Sequence, residues 1–373
     1  MYRFIEEEII KIIKNVPPPN LRNIKEIVNK AINFQELNLF EIDSLLKTYK
    51  NDELFEYVIR NAEILKEKVF GNKVKIYIPV YITSRCVNNC IYCGFRRDND
   101  TLHRKKLSLD EFKKELEFVL DIGHRTVELV LGNDPGLGGK KLVPYAKMTA
   151  EKLKQKGDGS VILMSEPMDI EDYKILREAG LNEVYCWQET YNPKQYREVH
   201  PEDTHKHNYE YRLTIFDRAL NAGIQRYGMG ILFGLYNWEY DVLSLLRHAE
   251  WLKKNYGIAP YVFGIPRLKN ASGAAIERPF YRVTNKMYRL TVAVYRLAFP
   301  TTHTYMNTRE NLGLILALLK GGGSEINIEA STVPGGYTEQ FKNGEQFFHY
   351  SYNSKKIINI FKKEGWEPIF GEI

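Results

Sequence analysis

From residue 75 onward the chain alternates between two kinds of segment, and that alternation limits the folds open to it. Eight short runs rich in β-branched and aromatic residues read as strands: KIYIPVYIT (75–83), TVELVLG (126–132), SVILMSE (160–166), EVYCWQE (183–189), YGMGILFGL (227–235), YVFGIPR (261–267), HTYMNTR (303–309) and EINIEAS (325–331). Between them lie amphipathic stretches such as LDEFKKELEFVLDIG, VPYAKMTAEKLKQKG and EYDVLSLLRHAEWLKKNYG. Several end in Gly, which tolerates the left-handed backbone that stops a helix. Strand–helix alternation implies parallel strands, and eight such units suit a closed (β/α)8 TIM barrel of about 250 residues. An open doubly wound sheet fits less well, because no GxGxxG follows the first strand.

The expected architecture is therefore α/β. A helical extension covers 1–70, the barrel 71–340, and a C-terminal extension with one short helix near 354–364 covers 341–373 and packs on the barrel. In the first 70 residues, EEEIIKIIKNV and ELFEYVIRNAEILKEKVFG carry apolar residues at helical spacing, and NFQELNLFEIDSLLKTYK reads as another amphipathic helix. The PPP at 17–19 separates the first helix from the second.

Charge and composition exclude several classes. The net charge is +6, but Lys and Glu interleave, as in EEIIKIIKN, which reads as solvated helix faces and not as a nucleic-acid surface. No apolar run approaches the roughly 18–20 residues of a membrane span. The N-terminus, MYRFIEEEIIKIIKN, lacks the basic-then-apolar pattern of a signal peptide. A cytoplasmic location is expected, with neither nucleic acid nor membrane as partner. Four cysteines in 373 residues do not make a disulfide scaffold there.

Three of those cysteines lie within eight residues, in SRCVNNCIYCGF (84–95), directly after the first strand. Their spacing is C-x3-C-x2-C. A structural zinc asks for four ligands, and the remaining cysteine, Cys186, sits in a strand about 90 residues on and reads as an ordinary strand residue. Thiolates also hold iron–sulfur clusters. Three of them on a [4Fe–4S] cluster would leave one iron open to the amino and carboxyl groups of a small molecule. Barrel chemistry sits at the C-terminal ends of strands. Those ends carry RC (85–86), GND (132–134), SE (165–166), QET (188–190), PR (266–267) and TR (308–309), enough polar residues at one rim for a shared pocket.

The cysteine spacing, with Tyr92 directly before the last cysteine, resembles the signature of the radical S-adenosylmethionine superfamily. Longer stretches are similar to its aromatic amino-acid lyase branch: GNKVKIYIPVYITSRCVNNCIYCGFRR (71–97), QETYNPKQYREVHP (188–201), YEYRLTIFDRALNAGI (209–224), GILFGLYNWEYDVLSLLRHAEWL (230–252), GIPRL (264–268), NTRE (307–310) and PGGYTEQF (334–341). That branch holds the 2-iminoacetate synthase of thiamine biosynthesis, the tyrosine lyase that matures [FeFe]-hydrogenase, and a tryptophan-processing synthase. The resemblance implies a [4Fe–4S] cluster and S-adenosylmethionine as cofactors, and a 5′-deoxyadenosyl radical that takes hydrogen from the amino group of L-tyrosine. Cleavage of the Cα–Cβ bond then yields 2-iminoacetate and p-cresol. It also implies an electron donor such as flavodoxin or ferredoxin, and a biosynthetic protein that accepts the product. The alternatives are the same machinery on tryptophan or a modified amino acid, or a non-enzymatic iron–sulfur carrier without a nucleoside site.

Residue by residue, the resemblance makes Cys86, Cys90 and Cys93 the cluster ligands and sets Tyr92 beside the adenine. Gly132, Asn133, Asp134, Glu166, Glu189 and Arg212 fall around S-adenosylmethionine. Tyr81 and Arg309 fall at the reacting substrate, with the Arg309 guanidinium on its carboxylate, a pairing that suits the planar fork. Asn327 occupies a substrate-contacting position. His200, His205 and His207 read as exposed loop histidines. Three departures stand out. LGNDP has Asn133 where the branch has Glu, so Asp134 or Glu166 is expected to compensate. NIEAS (327–331) has Asn327 in place of Ser and sets Glu329 near the barrel mouth, facing the pocket if side-chain parity allows. With Cys186 the one cysteine after Cys93, the second cluster of the hydrogenase maturase is not expected.

Overall fold

The computed structural model describes residues 1–157, 159–339, 344–350 and 352–373. All eight expected strands form: β1 (Lys73–Thr83), β2 (Thr126–Leu131), β3 (Ser160–Met164), β4 (Glu183–Glu189), β5 (Arg226–Ile231), β6 (Val262–Gly264), β7 (His303–Met306) and β8 (Glu325–Asn327). Each pairs in parallel with the next, and β1 pairs with both β2 and β8, which closes the sheet into a (β/α)8 barrel. β6, β7 and β8 are shorter than the sequence suggests. Their polar C-terminal residues leave the ladder to line the mouth.

A ninth strand, β9 (Glu367–Ile369), has no clear sequence signal, since its centre is a proline. It exists because β1 is long. Ile78–Thr83 of β1 pair with β2, and β9 takes the remaining Lys73–Lys75 in parallel. The C-terminus is thereby drawn to the bottom of the barrel.

Successive residues of β1 serve two cores, as strand alternation requires. Ile76, Ile78, Val80 and Ile82 join the large core between barrel and helices. Tyr77 faces inward with Ile162, Tyr185, Trp187, Val262 and Tyr305. The Trp187 ring crosses the barrel over β6; a Cβ on Gly264 would sit 2.3 Å from its Cη2. Beneath this aromatic layer lies a charged floor. The Lys75 ammonium donates to the Tyr261 hydroxyl (3.0 Å) and lies 3.6 Å from Glu372 and 4.0 Å from Glu183. Burial opposes its charge, but Glu325 and Glu183 outweigh burial and hold the ammonium well above its ordinary range.

The N-terminal helices α1 (Glu6–Asn15), α2 (Leu21–Ile32), α3 (Leu39–Leu46) and α4 (Asp52–Phe70) form where the pattern places them. Asn20, Asn38 and Asn51 cap the last three, and Glu41 completes a capping box with Asn38. Residues 33–38 stay outside α3, since the cap at Asn38 starts the helix later than periodicity alone suggests. α4 packs on the helix Asn285–Ala298 at the barrel's outer wall. The C-terminal helix spans Ser354–Lys363, as expected. Gln340 and Phe341, the end of PGGYTEQF and the start of the expected C-terminal extension, lie outside the described residues. No helix among the described residues is long and apolar enough to cross a membrane.

The packing at Gly264 generates a prediction. Gly264→Val forces a branched side chain into the Trp187 ring, and overpacking of this kind costs about 1–3 kcal/mol. A lowered thermal unfolding midpoint checks it; an unchanged midpoint removes the claim that Trp187 is wedged there.

Candidate active site

The loop after β1 holds the three cysteines at the barrel mouth. Its path is pinned by backbone bonds: Val87 N–H donates to Asn133 O (2.9 Å), Arg97 N–H to Asn88 O (2.8 Å) and Ile91 N–H to Val199 O (3.2 Å). Arg104 turns inward and donates to five carbonyls of this region, those of Ser84, Phe95, Arg96, Arg97 and Asn99. Gly132 at the end of β2 lets the loop come close, since a Cβ there would lie 2.4 Å from Arg85 O. Cys86, Cys90 and Cys93 then line one cavity, together with Tyr81, Tyr92, Gly132, Asn133, Glu166, Glu189, Arg212, Arg309 and Asn327. Residues spread over nearly 250 positions are brought together by closure of the sheet.

On one side of this cavity lies a network of two carboxylates and two cations. The Arg212 guanidinium donates to both Glu166 oxygens (3.2 Å each), to Trp187 O (2.8 Å) and to Glu189 (3.5 Å). Lys206 donates to Glu189 Oε1 (2.7 Å) and lies 3.9 Å from Glu166. Burial alone would raise the Glu189 carboxyl; Lys206 and Arg212 outweigh it and keep the group ionised, below its usual range. Glu189 itself has φ 72°, an unfavourable left-handed backbone, at a bulge between β4 and β5. Strain of this sort persists where surrounding bonds over-determine it.

Lys206 carries no sequence signal, because EDTHKHN reads as a solvated loop. The expectation of exposed histidines fails for His200, which is fully buried. The loop folds back over the cysteine segment. His200 Nδ1 donates to Tyr196 O (2.7 Å), so Nε2 accepts from the Tyr92 hydroxyl (2.8 Å). Burial, with Lys206 and Arg212 nearby, keeps the imidazole neutral. His205 is exposed and His207 half-buried.

On the other side, Arg309 lies beyond the end of β7. Its guanidinium carbon sits 3.2 Å from the centroid of the Phe347 ring, and its Nε is buried without a hydrogen-bond partner. Asn307 Nδ2 is likewise unpartnered. Asn327 Oδ1 accepts from Thr308 N–H (3.2 Å). The Tyr81 hydroxyl donates to Gln346 Oε1 (2.8 Å), while Gln346 Nε2 reaches Cys93 Sγ (3.7 Å). Gln346, Phe347 and His349 line the cavity from a segment in which the sequence suggests no site residue. Glu128 on β2 also lines it. A signal for Glu128 was present: a charged residue between apolar neighbours in a buried parallel strand.

Two expectations are corrected. Asp134 does not join the cavity. Its carboxylate accepts from Thr83 Oγ1 (3.2 Å) and Gly136 N–H (2.8 Å), capping the turn Pro135–Leu137. Glu329 does not face the pocket either. At φ 56° the chain turns, and its carboxylate accepts from Ser354 N–H (3.2 Å) at the start of the C-terminal helix. Cys186 is a buried strand residue, as expected. Arg267 of the PR pair is engaged by Glu310 (2.7 Å).

The thiols suit a cluster. Burial pushes the Cys86 thiol up to about 11 and raises Cys90 and Cys93, so a bound cation is needed to make them thiolates. No group of three or more Cys, His, Asp or Glu among the described residues is placed to hold a single metal ion. A cluster differs in that each thiolate binds a different iron. Three thiols lining one cavity are the donor set that such a cluster takes.

Residues 80–248 match the Radical SAM superfamily. The sequence is 28% identical to 2-iminoacetate synthase of Escherichia coli (strain K12) and 27% identical to that of Salmonella typhimurium, in each case over 92% of this chain and 89% of the relative. The crystal structure of HydG, a maturase of the [FeFe]-hydrogenase, superposes with a TM-score of 0.90 at 31% identity, covering 98% of this chain and 80% of that one. Methylornithine synthase (PylB) shares the fold, with a TM-score of 0.74 at 20% identity, over 92% of this chain and 97% of that one. Agreement of this extent, on a barrel whose mouth gathers three thiols suited to a cluster, makes the chain a member of the radical SAM superfamily: an enzyme related to 2-iminoacetate synthase and HydG that uses a [4Fe–4S] cluster and S-adenosylmethionine.

Proposed function

We propose that the chain is a tyrosine lyase, breaking the Cα–Cβ bond of L-tyrosine to give 2-iminoacetate and p-cresol. The observation that carries this reading is the pair of unpartnered donors, Arg309 Nε and Asn307 Nδ2, above an aromatic-walled slot in the same cavity as the three cysteines. When bound, the cluster and S-adenosylmethionine supply a 5′-deoxyadenosyl radical that abstracts a hydrogen from the substrate amino group, with electrons drawn from an external reductant.

The chain's own residues bind, orient and enclose. Cys86, Cys90 and Cys93 would hold the cluster. The four-charge network would take the zwitterionic end and ribose of S-adenosylmethionine, with Glu166 and Glu189 toward ammonium and hydroxyls and Arg212 and Lys206 toward carboxylate. Asn133 offers a neutral acceptor where the branch has Glu, so Glu166 would carry the charge opposite the ammonium. Arg309 would clamp the substrate carboxylate, its guanidinium supported by the Phe347 face. Burial lowers the affinity of Arg309 for its proton, and an arriving carboxylate opposes that. Tyr81, with its hydroxyl already bound to Gln346, presents its ring as a wall of the slot. Gln346, Phe347 and His349 would shield the reacting atoms from water, which a radical intermediate requires.

Anaerobic turnover of L-tyrosine by the reconstituted, reduced protein should release p-cresol, with glyoxylate from hydrolysis of 2-iminoacetate. Uncoupled 5′-deoxyadenosine without p-cresol would sink the reading, and indolic products from tryptophan would replace it. Arg309→Lys should raise KM for tyrosine about 10–100-fold, the scale of a lost charge-assisted hydrogen bond of about 1.5–3 kcal/mol; a KM that does not move removes the carboxylate clamp. Glu166→Ala should weaken S-adenosylmethionine binding by about tenfold, measured by equilibrium binding to the cluster-loaded protein. Unaltered affinity would mean that Glu166 does not compensate for Asn133.

A further inference from the structure

One buried acid in the cavity has no task in the mechanism above. Glu128, on β2, is 4% exposed, and its Oε1 has no hydrogen-bond partner. It differs from Glu183 on the barrel floor, whose two oxygens accept from the hydroxyls of Ser160 (2.6 Å) and Tyr185 (2.7 Å). It differs also from Glu189, which two cations neutralise. The charges that bear on Glu128 are those of Glu325 and Glu183, of its own sign. Burial first, then those two acids, push its carboxyl up to about 8. Either protonation form keeps an acceptor oxygen.

Its position is as telling as its lack of a partner. Glu128 pairs in register with Pro79, two residues below the level at which Tyr81 pairs with Val130. It thus lies deeper in the barrel than Arg309, which sits beyond the C-terminal end of β7. Both line one cavity, whose walls between them include Tyr81, Met164, Trp187 and Tyr305. An amino acid held by its carboxylate at Arg309 directs its side chain down this slot toward Glu128.

We infer that Glu128 is a specificity-determining residue that accepts a hydrogen bond from the hydroxyl at the far end of the substrate side chain and so separates tyrosine from phenylalanine. This inference rests on the tyrosine reading above. A phenol satisfies the buried acceptor; a phenylalanine ring leaves it unpaired, which is the situation in which a site rejects an analogue most strongly.

The test is anaerobic equilibrium binding of L-tyrosine and L-phenylalanine to the cluster-loaded protein with S-adenosylmethionine bound, for wild type, Glu128→Gln and Glu128→Leu, alongside assay of p-cresol. Wild type should bind tyrosine at least about tenfold tighter than phenylalanine. Glu128→Gln, which keeps an acceptor oxygen, should retain most of that preference, and Glu128→Leu should bring the ratio close to one. Equal binding of both amino acids by wild type overturns the inference without reference to any variant. So does a preference that survives in Glu128→Leu. Tyrosine preferred by wild type and not by Glu128→Leu, yet yielding no p-cresol, upholds the role of Glu128 and overturns the cleavage reading.

Discussion

The register of β1 is the constraint on which the rest depends. This strand pairs with β2, β8 and β9, so it closes the barrel and also anchors the C-terminus. Its inward residues set the layers of the interior in turn: Lys75 in the charged floor, Tyr77 in the aromatic layer, Tyr81 in the cavity wall. The cysteine loop follows at its upper end. A slip of one residue would turn Ile76, Ile78 and Val80 inward and drive Lys75 into the apolar shell between barrel and helices. The apolar shell and the charged floor reject that slip for different reasons, one through lost burial and one through an unpaired ammonium.

Charge is handled in two ways within the cavity. On one side Glu166, Glu189, Lys206 and Arg212 pair with one another, and that mutual attraction offsets much of the cost of taking four charges out of water. Such fixed charges offer an opposite partner to each end of a zwitterion, which offsets the cost of desolvating it. Elsewhere in the cavity, Arg309 and Asn307 keep donors without partners and Glu128 an acceptor without one. Unsatisfied buried groups each cost about 1–3 kcal/mol in the free protein. A ligand with matching groups at both ends would recover that cost, which is how a site gains selectivity from groups left unpaired in the free protein.

The parts legible in the sequence were those with local signals. Runs of β-branched and aromatic residues, helical spacing with Gly stops and the C-x3-C-x2-C spacing are short-range patterns, and the eight strands and the cysteine loop stand where those patterns put them. Arg309 was legible as a polar residue at a strand end and Tyr81 through the family resemblance, and both line the cavity. Lys206 and Gln346, which line the cavity, and His200, which backs Tyr92, were not, because each stands on a segment that folds back toward the mouth, and loop return has no periodicity. Asp134 misled for the opposite reason: it lies on the motif, but the turn it caps engages one carboxylate oxygen and the Thr83 hydroxyl the other. Glu329 shows that parity arguments end where the strand ends, since a single residue at positive φ turns the side chain away.

Gln346 shows how the two sides of the cavity are joined. Its amide has one acceptor and one donor end, and the Tyr81 hydroxyl occupies the acceptor. The NH2 group must then point the other way, toward Cys93 Sγ. Hydrogen bonds to a ligating sulfur are among the levers that set the potential of an iron–sulfur cluster. Tyr81 and Cys93, both in the cavity wall, therefore share one side chain whose orientation the two bonds set. Any shift of Tyr81 that breaks its bond frees the Gln346 amide to turn, and the donor at Cys93 turns with it. Tyr81 and Cys93 are thus linked through a single amide, with no movement of the barrel required.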